Sequence, residues 1–93
     1  MIPDKIKELR EQAGDSQAQL AKKLDVTRSA VNAWEMGLST PTTQYIVALA
    51  KLYHVSTDYI LGVIPDRTIS LRGYSEDEVR LVLDLLRYFD RHH

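Results

Sequence analysis

The sequence contains no cysteine, so neither a disulfide nor thiolate chemistry is available to it. That absence fits a reducing cytoplasm. No apolar run is long enough to span a bilayer, and the N-terminus shows no signal-peptide layout. Neither sign of charge is in excess: twelve Lys and Arg stand against thirteen Asp and Glu. Internal repeats and low-complexity segments are missing. So are a Gly-rich phosphate loop, a nucleophile beside a base and a carboxylate dyad, which leaves an enzyme reading without support. What remains is an ordinary globular composition of 93 residues, enough for one domain and an appendage.

The informative stretch is 16–37, SQAQLAKKLDVTRSAVNAWEMG. Ser16 is placed to cap a helix, and Gln19 three residues later completes a capping box. Leu20 and Leu24 then share a face, with the small Ala21 between them. Asp25 falls at the turn, where a left-handed residue is needed. Val26 can plug the inside of that turn, and Thr27 is the next cap. Ala30, Val31 and Trp34 form the inner face of a second helix, and Gly37 closes it. Two short helices at an angle, joined by a tight turn, are the layout of a helix-turn-helix, whose second helix enters a DNA major groove.

Around this pair the pattern predicts three more helices in one unit and a sixth beyond it. A first helix is expected over 3–13, with Ile6, Leu9 and Ala13 on one face and Gly14 at its end. A fourth starts near 41–43 and buries Ile46, Leu49, Ala50 and Tyr53. Ser56 caps a fifth over 57–61, and Gly62 follows it. Residues 63–74, broken by Pro65 and Gly73, read as a linker with a short extended segment. Ser75 and Glu78 then make a second capping box for a last helix running to about 91. Its apolar residues fall in two stripes: Val79, Val82, Leu83, Leu86 and Phe89, then Leu81, Leu85 and Tyr88. The polar strip that remains (Glu76, Arg80, Asp84, Arg87, Arg91) can form ion pairs along the helix. So wide an apolar surface needs cover on more than one side. The small domain can cover one face, and a second copy of the chain is the expected cover for the rest.

The sequence resembles the Cro/phage-repressor-type helix-turn-helix family, the xenobiotic-response-element family of bacterial regulators. The likeness runs from Ile6 to Gly62 through IKELREQAG, SQAQLAKKL, VTRSAVNAWEMG and STPTTQYIVALAKLYHVSTDYILG, in that order. The chain has Asp25 where the family turn usually carries Gly. It has an uncharged stretch over 37–41 where Lys or Arg is common. The resemblance implies an all-α, lambda-repressor-like domain of five helices over 1–64; the residue pattern beyond it adds a linker over 65–74 and a dimerisation helix over 75–93. It also implies that bases are read from Arg28, Ser29 and Ala33, with Asn32 beside them. Gln17 would bind a phosphate and brace the start of the recognition helix, and Arg10 and Glu35 would form a structural ion pair.

The residues allow these roles. Arg28 has the fork that fits guanine O6 and N7, Asn32 can pair with adenine, and the Ala33 methyl can meet a thymine methyl. Lys22, Lys23, Thr27, Ser39, Thr40 and Thr42 can reach phosphates, although Thr42 can equally serve as a cap. The charge is thin: residues 1–62 carry seven cations and seven anions. Sequence-specific binding with a shallow salt dependence is therefore expected. Trp34, Tyr45, Tyr53 and Tyr59 read as core or half-buried. His54 lacks metal-ligand neighbours, and His92 and His93 read as the remnant of a tag. No metal or cofactor is expected. The leading expectation is a homodimeric, nucleoid-associated regulator, a repressor, on a palindromic operator. The alternative is a protein-interaction module, such as an antitoxin-like partner, that uses its last helix to bind another protein.

Overall fold

A computed structural model describes residues 1–65 and 69–92. Six helices and no strand occur among them: α1 (Ile2–Gln12), α2 (Gln17–Leu24), α3 (Arg28–Glu35), α4 (Thr43–Tyr53), α5 (Thr57–Leu61) and α6 (Glu76–Arg91). The expected linker includes 66–68, and the expected last segment includes His93; these four positions lie outside the described residues.

Three of the connections are one joint used repeatedly. Gly14, Asp25 and His54 each sit in the left-handed region, with φ of 76°, 57° and 55°. In each case the next residue donates its N–H to the carbonyl five positions back: Asp15 to Arg10, Val26 to Ala21 and Val55 to Ala50. The third residue caps the following helix with its hydroxyl, Ser16 for Gln19, Thr27 for Ala30 and Ser56 for Tyr59. Orphan carbonyls at one helix end and orphan N–H groups at the next are thereby satisfied within three residues. Ser16 also receives the full capping box, its N–H donating to Gln19 Oε1 at 2.7 Å. A side chain at a left-handed position costs roughly 1 kcal/mol relative to Gly, so Asp25 and His54 are tolerated rather than ideal.

The joints aim every apolar stripe inward. Ile6 and Leu9 of α1, Leu20 and Ala21 of α2, Val31 and Trp34 of α3, and Ile46, Leu49 and Ala50 of α4 are buried together with Val55, Tyr59 and Ile60. Ala21 is the small contact that lets α3 approach α2. Trp34 is a core residue, with its ring 5.5 Å from that of Tyr45. Tyr45 and Tyr53 are half-buried. Ala13, expected on the inner face of α1, is exposed. It falls at the C-cap, where the helix has already turned away.

The chain beyond α5 departs from expectation in two ways. The short extended segment does not form among the described residues; the Ser70 N–H donates instead to the His54 carbonyl at 3.0 Å. More consequentially, the body does not cover a face of α6. Val79 and Val82 are half-buried, but Leu81, Leu83, Leu85, Leu86, Tyr88 and Phe89 are all exposed. A cavity of about 470 Å³, lined in part by His54, Ile69, Leu71, Leu81 and Val82, lies where close packing was expected. The contact that holds the N-terminal end of α6 is polar and aromatic: the Tyr74 hydroxyl is 3.0 Å from His54 Nε2, with ring centroids 5.4 Å apart. Among the expected ion pairs of the polar strip, Arg87 to Asp84 forms at 2.9 Å.

Candidate nucleic-acid interface

Helix α3 presents two unlike sides because of its residue order. Val31 and Trp34 are buried against α1 and α2, while Arg28, Ser29 and Asn32 are exposed and Ala33 is half-buried. The exposed set lies on the side away from the core, as a helix of 3.6 residues per turn requires. Thr27 holds the start of this helix by accepting the Ala30 N–H at 3.1 Å. Its hydroxyl proton stays available to donate outward.

Beneath this surface runs a continuous polar chain. Gln17 Nε2 donates to Asn32 Oδ1 at 3.2 Å and to Glu35 Oε1 at 3.3 Å. Glu35 is gripped from below by Arg10, Nε to Oε2 at 2.7 Å and Nη2 to Oε1 at 2.9 Å. Both side chains of this pair are largely buried, with 12% of Arg10 and 3% of Glu35 exposed. The remaining Arg10 nitrogen, Nη1, donates to the Asp15 carbonyl at 2.8 Å. Glu35 raises the Arg10 pKa above its ordinary value through these hydrogen bonds. A two-point guanidinium–carboxylate contact fixes orientation as well as distance. It ties α1 to the last residue of α3.

The chain ends on Asp15. Its carboxylate accepts from Lys23 Nζ at 2.8 and 3.0 Å and from the Tyr53 hydroxyl at 3.2 Å. The Lys23 hydrogen bond holds the Asp15 carboxyl below its ordinary pKa. Burial, then the neighbouring Asp15 charge, pushes the Tyr53 phenol upward, so it remains a donor. Nothing in the residue pattern marks Asp15 or Tyr53 as parts of this arrangement, since Tyr53 is 38 positions away from Asp15.

The structure gathers some candidate residues and separates others. Arg28, Ser29, Asn32 and Ala33 share the outer side of α3, and Gln17 meets Asn32 there. Lys22 is exposed on α2. The Lys23 ammonium, counted among the phosphate contacts, is instead engaged by Asp15. Ser39, Thr40 and Thr42 are exposed in the loop before α4. Thr42 occupies the N-cap position of α4, yet its side chain makes no capping bond. Among the described residues no group of His, Asp and Glu could hold a metal ion. None of the described helices is long and apolar enough to cross a membrane.

A helix-turn-helix family model matches residues 6–60, from α1 into α5. The chain belongs to the helix-turn-helix family. Among curated members, the transcriptional regulator ImmR of Bacillus subtilis is 38% identical over 58 residues, which is 62% of this chain and 46% of ImmR. The chain thus spans about half the length of the curated relatives it matches. Among solved structures, the P22 c2 repressor in complex with a synthetic operator is 28% identical, with a TM-score of 0.61 over 64% of this chain and 91% of that one. A complex of SinR with SinI matches over 98% of this chain and 99% of the other, at 25% identity and a TM-score of 0.61. The family match covers the whole polar chain from Arg10 to Tyr53 and leaves α6 outside.

Proposed function

We propose that this chain is a sequence-specific DNA-binding transcriptional regulator, a repressor, that acts as a homodimer on a palindromic operator. The observation that carries the reading is the two-sided α3. Its inner residues are locked into the core, and its outer face offers a fork, a hydroxyl, an amide and a methyl on a rigid base. Arg28 supplies the main base contact, with Ser29, Asn32 and Ala33 beside it. Gln17 orients Asn32 by holding its carbonyl oxygen, so the Asn32 amide nitrogen faces outward. Backbone contacts come from Thr27, Lys22, Ser39, Thr40 and Thr42; the Gln17 amide joins them only by releasing Asn32 or Glu35, and Lys23 only by leaving Asp15. With so few cations the salt dependence is shallow. Two copies joined through α6 present two α3 helices about one DNA turn, roughly 34 Å, apart. A regulator of this kind works in the cytoplasm, at the nucleoid.

Selection of bound sequences from a random DNA pool at two salt concentrations tests these points together. A palindromic consensus with a small loss at the higher salt is the expected result. Replacing Arg28 with Ala should cost about 1–3 kcal/mol and relax one position of the consensus. An equal loss on every sequence would limit Arg28 to phosphate. No enrichment at either salt would overturn the reading.

One observation favours a second reading. The exposed apolar face of α6 suits a different protein as well as a second copy, and the likeness to SinR in its complex with SinI extends over α6. An interaction module of that kind would aggregate alone and stay in solution only with its partner. A well-behaved dimer on its own supports the regulator.

A further inference from the structure

The apolar surface of α6 is not uniform along its length: Glu78 and Val82 border the cavity beside His54, Ile69 and Leu71, and beyond them it is open. Glu78, Val82, Leu85 and Phe89 follow the i, i+4, i+7, i+11 spacing and so stack in one stripe. Three of them are apolar, and the N-terminal one is a carboxylate. Glu78 is tied in place: its Oε1 accepts the Ser75 N–H at 2.8 Å, and its own N–H donates to Ser75 Oγ at 3.1 Å. The same bonds hold its carboxyl below the ordinary pKa, so it stays charged. The first turn adds Glu76 and Asp77, whereas in the last turn Asp90 balances Arg91. The helix therefore runs from acidic to neutral.

Two copies of this face can meet about a two-fold axis in two ways. Side by side in parallel, each Glu78 faces its own copy inside an apolar seam, and two acidic first turns crowd together. Like charges at such positions oppose pairing. In the antiparallel arrangement each Glu78 lies at the outer end of the seam, beside the other copy's Phe89 and a last turn in which Asp90 balances Arg91, and the two acidic first turns stay apart. The helix dipoles then oppose rather than reinforce each other.

We infer that α6 pairs antiparallel with α6 of a second copy of this chain, with Glu78 at both outer ends of the seam. This rests on the homodimer reading above and adds its geometry.

The absence of cysteine gives a direct test with spin labels on the full chain. Asp77→Cys, Asp84→Cys and Arg91→Cys place labels at i, i+7 and i+14 on the polar side, away from the seam. Label-to-label distances should be shortest at 84 and about 10 Å longer at both 77 and 91. A mixture of the 77 and 91 variants should give a short distance again. Sedimentation of each variant checks that the dimer persists. Three similar distances, with a long one in the mixture, would overturn the antiparallel arrangement and leave the homodimer standing. A chain that stays monomeric at tens of micromolar would overturn both.

Discussion

The α1–α5 body and α6 both carry apolar stripes and treat them in opposite ways. In the body, seven large side chains from Ile6 to Ile60 are almost completely sealed from solvent. In α6 not one residue is buried. The body is stabilised by packing among helices, whereas α6 is stabilised locally, by its capping box, an acidic first turn and one ion pair at its surface. A helix of this length is marginal on local terms alone. Its apolar face must contribute in an assembly or not at all.

This contrast can be broken at several points. The largest expected effect is in the core. Leu49→Ala should lower the unfolding free energy by about 2–5 kcal/mol in denaturant titration, because it empties a fully buried site. Leu86→Ala in α6, measured on dilute monomer, should stay within about 0.5 kcal/mol. Comparable losses from the two would mean that α6 is packed after all.

Next in size is Glu35→Ala, which strands the covered Arg10 guanidinium and removes one partner of Gln17. We expect a loss of about 3 kcal/mol in the same titration, with a further loss of DNA affinity measured at a temperature where the variant remains folded. A stability loss without any change in affinity would separate the polar chain from the recognition surface.

Asp25→Gly should raise stability by up to about 1 kcal/mol, since Gly meets no Cβ conflict at φ 57°. A loss would show that the Asp25 side chain does something at the turn beyond occupying it.

The smallest effect is in pH. The Asp15 pKa is lower in the folded chain than in the unfolded one, so its stabilisation is present above about pH 4 and fades as pH falls through the folded value. Asp15→Asn should flatten the acid limb of a stability–pH profile. An unchanged limb would assign acid sensitivity to other carboxylates, among them Glu78 in α6.

How much could be read from the sequence follows the same division. The helix boundaries were legible to within a residue or two because Ser16, Thr27, Ser56 and Ser75 are local signals. The left-handed turn at Asp25 and the buried stripes of α2, α3 and α4 are local as well. So is the sharing of one outer face by Arg28, Ser29 and Asn32, which needs only the helical period. The gathering of Lys23 and Tyr53 on the Asp15 carboxylate was not legible, because it joins three segments that meet only after folding. The environment of α6 was misjudged for a related reason. Its amphipathic pattern states that cover is required and does not state which surface supplies it.

The repeated joint between helices has one more consequence. Because the same three residues of geometry turn the chain at 14–16, 25–27 and 54–56, length there is more strictly specified than identity. Many substitutions should be absorbed at these points, since Gly, Asp and His already stand in the same place. An added residue should not be. It would advance the next helix by about 100° of azimuth and, at the second joint, swing Val31 and Trp34 toward water. In this molecule the reading frame of the turns, more than their spelling, keeps the inner face of α3 inside.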